Sequence, residues 1–490
     1  MIIRASGVLM HLSSLPAPHG IGTMGQCARE FIDFLKKAGQ KYWQILPVGQ
    51  TSYGDSPYQS FSSFAGNPYF IDLNMLAEKE LLERSEYEYR NWGTNPKVAD
   101  YGLLYEKRYP LLRLAADRFL KGNRTGFDGF CERNADWLED YALFMTIKGK
   151  NGGVSWLEWS DGERRRDEAV LEQIKWEQKE DILFWKVIQF FFYEQWDSLR
   201  AYAEANGISI IGDLPIYVAL DSADVWANPQ YFQLDENLVP TKVAGCPPDG
   251  FAEGGQLWGN PLFNWGALEK DNFSWCIKRI GHACRTYHML RLDHFRGFES
   301  YYAIPYGAPD ARNGQWEQGP GMKLFRALEG QIGRQNIIAE DLGFLTEEVR
   351  QLLSDSGFPG MKVFELGFDS RDNNGSDYLP HNLVRHCVTY TGTHDNDTIQ
   401  GWLANAPEDD VAYACDYFGI TDREDGHWIM MKALWSTVSE LTIVQAQDLF
   451  GLGSESRMNR PSTLGINWCW RALPGMFDNE LAEKLHYYMK

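Results

Sequence analysis

The stretch His288-Met-Leu-Arg-Leu-Asp-His-Phe-Arg-Gly297 reads as a short strand that delivers an arginine and an aspartate to its end, where a glycine closes it. Side chains two apart on a strand share a face, so Arg291 and Asp293 point the same way. A guanidinium beside a carboxylate favours its ionised form and aims it. An aspartate held charged at a strand end suits a nucleophile on a sugar. A structural Arg–Asp pair is the plainer reading of the same two residues.

Working outward, the same pattern of a short apolar run ending in polar residues recurs along the chain. Strands are expected at 7–12, 42–46, 208–213, 288–293, 336–340, 361–366, 387–393 and 441–446. Helical patterns lie between most of them. Ala28 to Ala38 turns Phe31, Ile32, Phe34 and Leu35 to one side and stops at Gly39; Thr346–Ser356 and Asp425–Glu440 are others. Eight strands with intervening helices indicate a (β/α)8 TIM barrel with large, mainly helical insertions. A doubly wound open sheet is the alternative, but no G-x-G-x-x-G follows any strand. The expected organisation is one barrel domain over 1–490. A helical insertion, 52–206, separates the second and third strands, and a second insertion covers 217–285 with a Gly/Pro-rich loop at 245–261. Trp156, Trp159, Trp176, Trp185 and Trp196 sit at helical spacing in the first insertion and are expected in its core.

A net charge of −20 argues against nucleic acid or an anionic membrane surface as the main partner. The aromatic content of 14%, with 18 Trp and 24 Tyr, suits flat ligands with an apolar face and a hydroxyl edge, such as sugars. Most of these rings must nevertheless be core. The eight cysteines form no C-x-x-C pair, the N-terminus shows no signal-peptide pattern, and no apolar run is long enough to span a bilayer. A cytoplasmic protein with reduced thiols is expected. The ten histidines include no H-E-x-x-H. Asp369-Ser-Arg-Asp-Asn-Asn-Gly375, the nearest approach to a calcium loop, has the wrong spacing. No metal and no cofactor are expected.

In a barrel of this kind the strand C-termini meet at one mouth. Asp213, Asp293, Glu340 and Asp395 stand at four such ends, with Arg291 and His394 beside them. Two neighbouring carboxyls divide roles when their surroundings separate their pKa values. Arg291 marks Asp293 as the charged one, and Glu340, after the apolar Ile337-Ile338-Ala339, is the candidate protonated acid. That is a retaining glycosidase arrangement, for which the carboxyls should lie ~5–5.5 Å apart. Asp395 would bond sugar hydroxyls in the transition state.

Four segments make a resemblance specific: Gly212-Asp-Leu-Pro-Ile-Tyr-Val218, Arg291-Leu-Asp-His-Phe-Arg-Gly297, Ala339-Glu-Asp-Leu-Gly343 and Gly392-Thr-His-Asp-Asn-Asp-Thr398. Together they resemble the signature regions of the α-amylase superfamily, and within it the 4-α-glucanotransferase (amylomaltase) family, glycoside hydrolase family 77. Ser56-Pro-Tyr-Gln-Ser60, the 245–261 loop and Arg457-Met-Asn-Arg-Pro-Ser-Thr463 with Asn467-Trp-Cys-Trp-Arg471 add to it. The resemblance implies Asp293 as nucleophile, Glu340 as general acid/base and Asp395 as transition-state stabiliser. It implies that Tyr58, Asp213, Arg291 and His394 hold the donor glucose. Asp249, Phe251, Gln256 and Trp258 would cover the cleft and contact the acceptor, and Asn467 is a further candidate for binding substrate. The implied substrates are maltooligosaccharides and amylose, starch or glycogen-derived glucans, with glucose as an acceptor and no obligatory protein partner. An amylase-like hydrolase and a noncatalytic carbohydrate-binding barrel are the competing readings. Asp341 should face away from Glu340 and receives no chemistry, and Asp397 reads as a loop cap.

Overall fold

The computed structural model describes residues 4–52, 54–248, 253–343, 345–370, 375–463 and 465–489. Twelve strands run in chain order: β1 (Ala5–Leu9), β2 (Tyr42–Gln44), β3 (Ser209–Leu214), β4 (Lys242–Cys246), β5 (Gln256–Pro261), β6 (Met289–Leu292), β7 (Ser300–Pro305), β8 (Gln315–Gln318), β9 (Ile337–Ala339), β10 (Gly360–Val363), β11 (Cys387–Tyr390) and β12 (Leu441–Gln445). Eight of them close a parallel barrel in the order β1-β12-β11-β10-β9-β6-β3-β2. All eight expected barrel strands are present, most of them shorter than the apolar runs that foretold them. The last residues of those runs leave the ladder to form the mouth. Strands covered on both faces read as unbroken apolar runs, and Ile337-Ile338-Ala339 and Leu441–Gln445 are buried throughout.

The segment between β2 and β3 is mainly helical. Its longest element, Lys179–Ala205, is clamped to the chain that follows β2 by two glutamines. Gln189 accepts from Gly66 N–H at 2.7 Å and donates to Gly66 C=O at 3.0 Å. Gln195 does the same to Asp72, at 2.7 and 3.1 Å. Each amide bonds both the N–H and the C=O of one buried residue, as a neighbouring strand would. Trp156, Trp159 and Trp196 are buried as expected, but Trp176 is 83% exposed. It sits on the short helix Glu168–Glu177, whose buried side is carried by Leu171 and Ile174. Helical spacing alone does not say which face of a two-and-a-half-turn helix meets the core.

A second sheet was not legible in the sequence. Strands β5-β4-β7-β8 pair antiparallel and carry part of the mouth. Its members come from both sides of β6, so no local hairpin signal marks the whole. The expected helix Asp425–Glu440 is shorter, Gly426–Trp435. Among the described residues no helix is long and apolar enough to cross a membrane.

Candidate active site

The barrel ladder brings the acids together. β6 pairs with β3 so that Arg291 lies opposite Asp213, and with β9 so that Leu292 lies opposite Ala339. Asp293 and Glu340 are therefore the next residues along two neighbouring strands. Main-chain bonds fix this junction: Glu340 N–H donates to Leu292 C=O at 2.9 Å, and Phe295 N–H donates to Glu340 C=O at 2.9 Å.

Arg291 is buried beneath the acids. Its Nη1 donates to both oxygens of the buried Asp213 at 2.8 Å and to Asp293 Oδ1 at 3.0 Å. Its Nε donates to Met361 Sδ at 3.3 Å. The guanidinium thus serves Asp213 first and Asp293 second, which corrects the expectation of a simple Arg291–Asp293 pair. Burial pushes the Asp293 carboxyl up, against the pull of Arg291, to about 6. Burial pushes Glu340 further, to about 8, with the Asp293 charge adding to the rise and Arg291 opposing it. Burial raises both acids and Arg291 pulls both down, with Glu340 left the higher of the two. Because the two interact, their protons come off as a pair, with Glu340 raised above Asp293.

Both Glu340 oxygens accept main-chain N–H groups, Oε2 from His294 at 2.6 Å and Oε1 from Leu342 at 2.9 Å. His294 adopts φ 48°, ψ 51°, the left-handed region that a non-glycine residue enters at a cost of roughly 1–2 kcal/mol. That conformation is what turns its N–H onto Glu340.

Asp395 follows β11 and is half-exposed at the mouth. Burial of the surrounding wall would lift its carboxyl, but the neighbouring His394 and the Asn459 amide overcome this and hold it at about 2. His394 Nε2 lies 3.3 Å from Asp395 Oδ2, and Asn459 Nδ2 donates to Oδ1 at 2.6 Å. Arg457 donates to the Asp395 carbonyl and, through Nε, to the Asn459 carbonyl at 2.7 Å. Arg457 and Asn459 lie in the stretch Arg457–Thr463, which by its sequence shows no role for them. Their link to Asp395 spans more than sixty residues, so no local pattern could reveal it.

Tyr58 completes this side. Its hydroxyl donates to Asp213 Oδ2 at 2.7 Å, and its ring stacks on His394 at 4.9 Å between centroids. Trp468 leans on both rings at 5.8 Å. Behind them His11 is buried; its Nδ1 accepts Leu46 N–H at 3.2 Å, and burial together with the nearby His394 lowers it to about 3. A cavity of about 60 Å³ adjoins the Tyr58–Asp213 pair and runs back to Tyr193, Arg279 and Tyr287; the three carboxylates do not line it.

The antiparallel sheet supplies the opposite wall. Gln256 and Trp258 share a face of β5, and Trp258 Nε1 donates to Gln256 Oε1 at 3.0 Å. The Trp258 ring stands edge-on to His294 at 4.8 Å, which ties this wall to the residue that orients Glu340. Asp249 and Phe251 lie outside the described residues. Asn467 spends its amide on its own loop, accepting from Arg460 N–H and donating to Thr463 C=O, both at 3.0 Å. None of its bonds reaches the carboxylates. Asp341 bonds to β10 and not to the mouth, and Asp397 accepts Thr398 N–H at 2.8 Å, within its loop. Among the described residues no cluster of three or more His, Cys, Asp or Glu is arranged to hold a metal ion.

This geometry agrees with comparisons to known proteins. A family model described as 4-alpha-glucanotransferase matches residues 10–475. The chain is 50% identical to the 4-alpha-glucanotransferase of Clostridium butyricum over 479 residues, covering 97% of this chain and 98% of that one. It is 47% identical to the 4-alpha-glucanotransferase of Thermus thermophilus over 493 residues, covering 98% and 97%. The solved amylomaltase from Streptococcus agalactiae in complex with acarbose matches with a TM-score of 0.96 at 42% identity, over 99% of each chain.

Proposed function

Because the chain belongs to the 4-alpha-glucanotransferase family and so transfers glucan segments from one chain to another, we propose that Asp293, Glu340 and Asp395 carry that transfer by a double displacement. The Asp293 carboxylate attacks the anomeric carbon of an α-1,4-linked glucose while Glu340 gives its proton to the departing O4. The C1–O4 bond breaks and a glucosyl ester forms on Asp293. The 4-OH of an acceptor then attacks the same carbon, its proton passes to Glu340, and the ester bond breaks. Asp395 stays ionised throughout and bonds sugar hydroxyls that it grips harder as the ring flattens. Tyr58, Asp213, Arg291 and His394 form the donor-glucose floor. Trp258 and Gln256 wall the acceptor side, where Asp249, Phe251 and Asn467 are further candidates.

The observation that carries this reading is the pairing of β6 with β9, which sets two acids side by side in unequal surroundings. Arg291 contacts Asp293, whereas Glu340 accepts from the main-chain N–H groups of His294 and Leu342 and sits higher in pKa. One acid is thus poised to be charged while its neighbour keeps a proton.

The donors are proposed to be maltooligosaccharides and starch- or glycogen-derived glucans, with glucose or any glucan 4-OH as acceptor. Scattered cysteines with no C-x-x-C pair suit a reducing compartment, the cytoplasm. Incubation with maltotriose alone should give glucose plus a ladder of longer chains, resolved by length. Complete conversion to glucose and maltose, with no longer product, would overturn transfer in favour of hydrolysis.

The pH profile follows from the two acids. Asp293 must be ionised, so kcat/KM should rise as pH climbs through about 6. Glu340 must be protonated, so kcat/KM should fall as pH climbs through about 8. A bell with its plateau between those values is expected, read from initial rates of glucose release in buffers of constant ionic strength.

A further inference from the structure

Asp341, the neighbour of Glu340, is buried and takes no part in the mechanism above. On its β6 side Glu340 is fully laddered, but on the β10 side the seam holds a single registered pair, Gly360 with Ala339. Immediately beyond that pair the Asp341 carboxylate takes over: Oδ1 accepts Met361 N–H at 2.6 Å. Lys362 Nζ, on the same strand, lies 3.8 Å from Oδ2. The carboxylate lies against Gly360, where a Cβ would come within 2.7 Å of both oxygens and push it aside. Met361 in turn presents its sulfur to Arg291, which holds Asp213 and Asp293. One side chain therefore joins the strand end bearing Glu340 to the strand that backs Arg291.

We propose that Asp341 is a positioning residue for Glu340: by stitching β9 to β10 where the ladder runs out, its carboxylate sets the direction from which Glu340 gives and takes its proton. The inference rests on Glu340 being the acid/base, and it adds that the neighbouring carboxylate holds that acid in line. Asp341 is faced by Met361 N–H, Lys362 and, further off, Arg350. Glu340 is faced by Arg291, Asp293 and the N–H groups of His294 and Leu342. Removing the Asp341 charge takes one negative group from this neighbourhood, so Glu340 should then lose its proton at lower pH.

The test compares two donors. Maltotriose needs a proton on its leaving oxygen. In α-maltosyl fluoride the C1–F bond breaks and fluoride departs as the anion, with no proton required. Asp341→Leu should lower kcat on maltotriose by about 100-fold, the size of effect a 1 Å misalignment produces. Its KM should change by less than about threefold, and single-turnover fluoride release should fall far less than kcat. Asp341→Asn keeps an oxygen for Met361 N–H. It should recover most of kcat, with the alkaline limb of the kcat–pH profile moved to lower pH. Glu340→Gln, run in parallel, separates the two ideas. If Glu340→Gln spares fluoride release while Asp341→Leu loses both donors equally, Asp341 is only structural and the proposal fails. If Glu340→Gln also loses both equally, Glu340 is not the acid and the proposal falls with it. Should Asp341→Leu be insoluble, Asp341→Asn decides: wild-type kcat with an unmoved alkaline limb overturns the inference.

Discussion

Asp293→Asn is expected to lower transfer from maltotriose by on the order of 10⁴-fold or more, because an amide does not form the ester that the first displacement requires. The loss should be chemical and not architectural. Asn fills the same volume, and Arg291 keeps its two bonds to Asp213 when the one to Asp293 weakens. The stability of the variant carries a sign that checks the electrostatics. Burial raises the folded-state pKa of Asp293, so the native protein holds that proton more tightly than the unfolded chain does. The stabilisation this gives the wild type is present below the ordinary carboxylate pKa and is lost as pH rises through about 6. Relative to wild type, the variant should therefore gain more thermal midpoint at pH 8 than below the ordinary carboxylate pKa, measured by calorimetry. Turnover equal to wild type in Asp293→Asn would remove it as the nucleophile.

Glu340→Gln should lower kcat on maltotriose by roughly 10²–10⁴-fold, the usual worth of a positioned proton donor. The descending limb of the pH profile near 8 should vanish with it, since that limb belongs to the lost carboxyl. Fluoride release from α-maltosyl fluoride should survive in the first turnover, after which the ester on Asp293 should accumulate for want of a base to activate the acceptor. Intact-mass measurement of the quenched protein would register that adduct. An unchanged alkaline limb in the variant would show that the high-pH titration belongs elsewhere. Glu340 is well placed for an effect of this size: two main-chain donors, one of them on the strained His294, fix the orientation that a glutamine would have to reproduce.

Expectation and structure part company where the chain returns on itself. The antiparallel sheet β5-β4-β7-β8 draws strands from either side of β6, and it carries Gln256 and Trp258 to the mouth. Their roles were visible only through family resemblance, because nothing in residues 242–318 read singly announces a shared sheet. Trp176 fails in the opposite direction, being a ring whose spacing fits a core face but whose helix presents it to solvent.

By itself the sequence determined the barrel and its acids. Apolar runs of strand length must be buried on both faces, and the polar residues that close them then gather at one end of the barrel, so the strand-end places of Asp213, Asp293, Glu340 and Asp395 were readable from order alone. What the tertiary structure decided is how those acids differ. Whether Arg291 reaches Asp213, whether Asn459 reaches Asp395, and whether Asp341 closes the seam beside Glu340 depend on approaches of 2.6–2.8 Å between residues 20 to 78 positions apart. Hydrogen bonds and buried charges act over ångströms in space, and separation along the chain does not encode that distance.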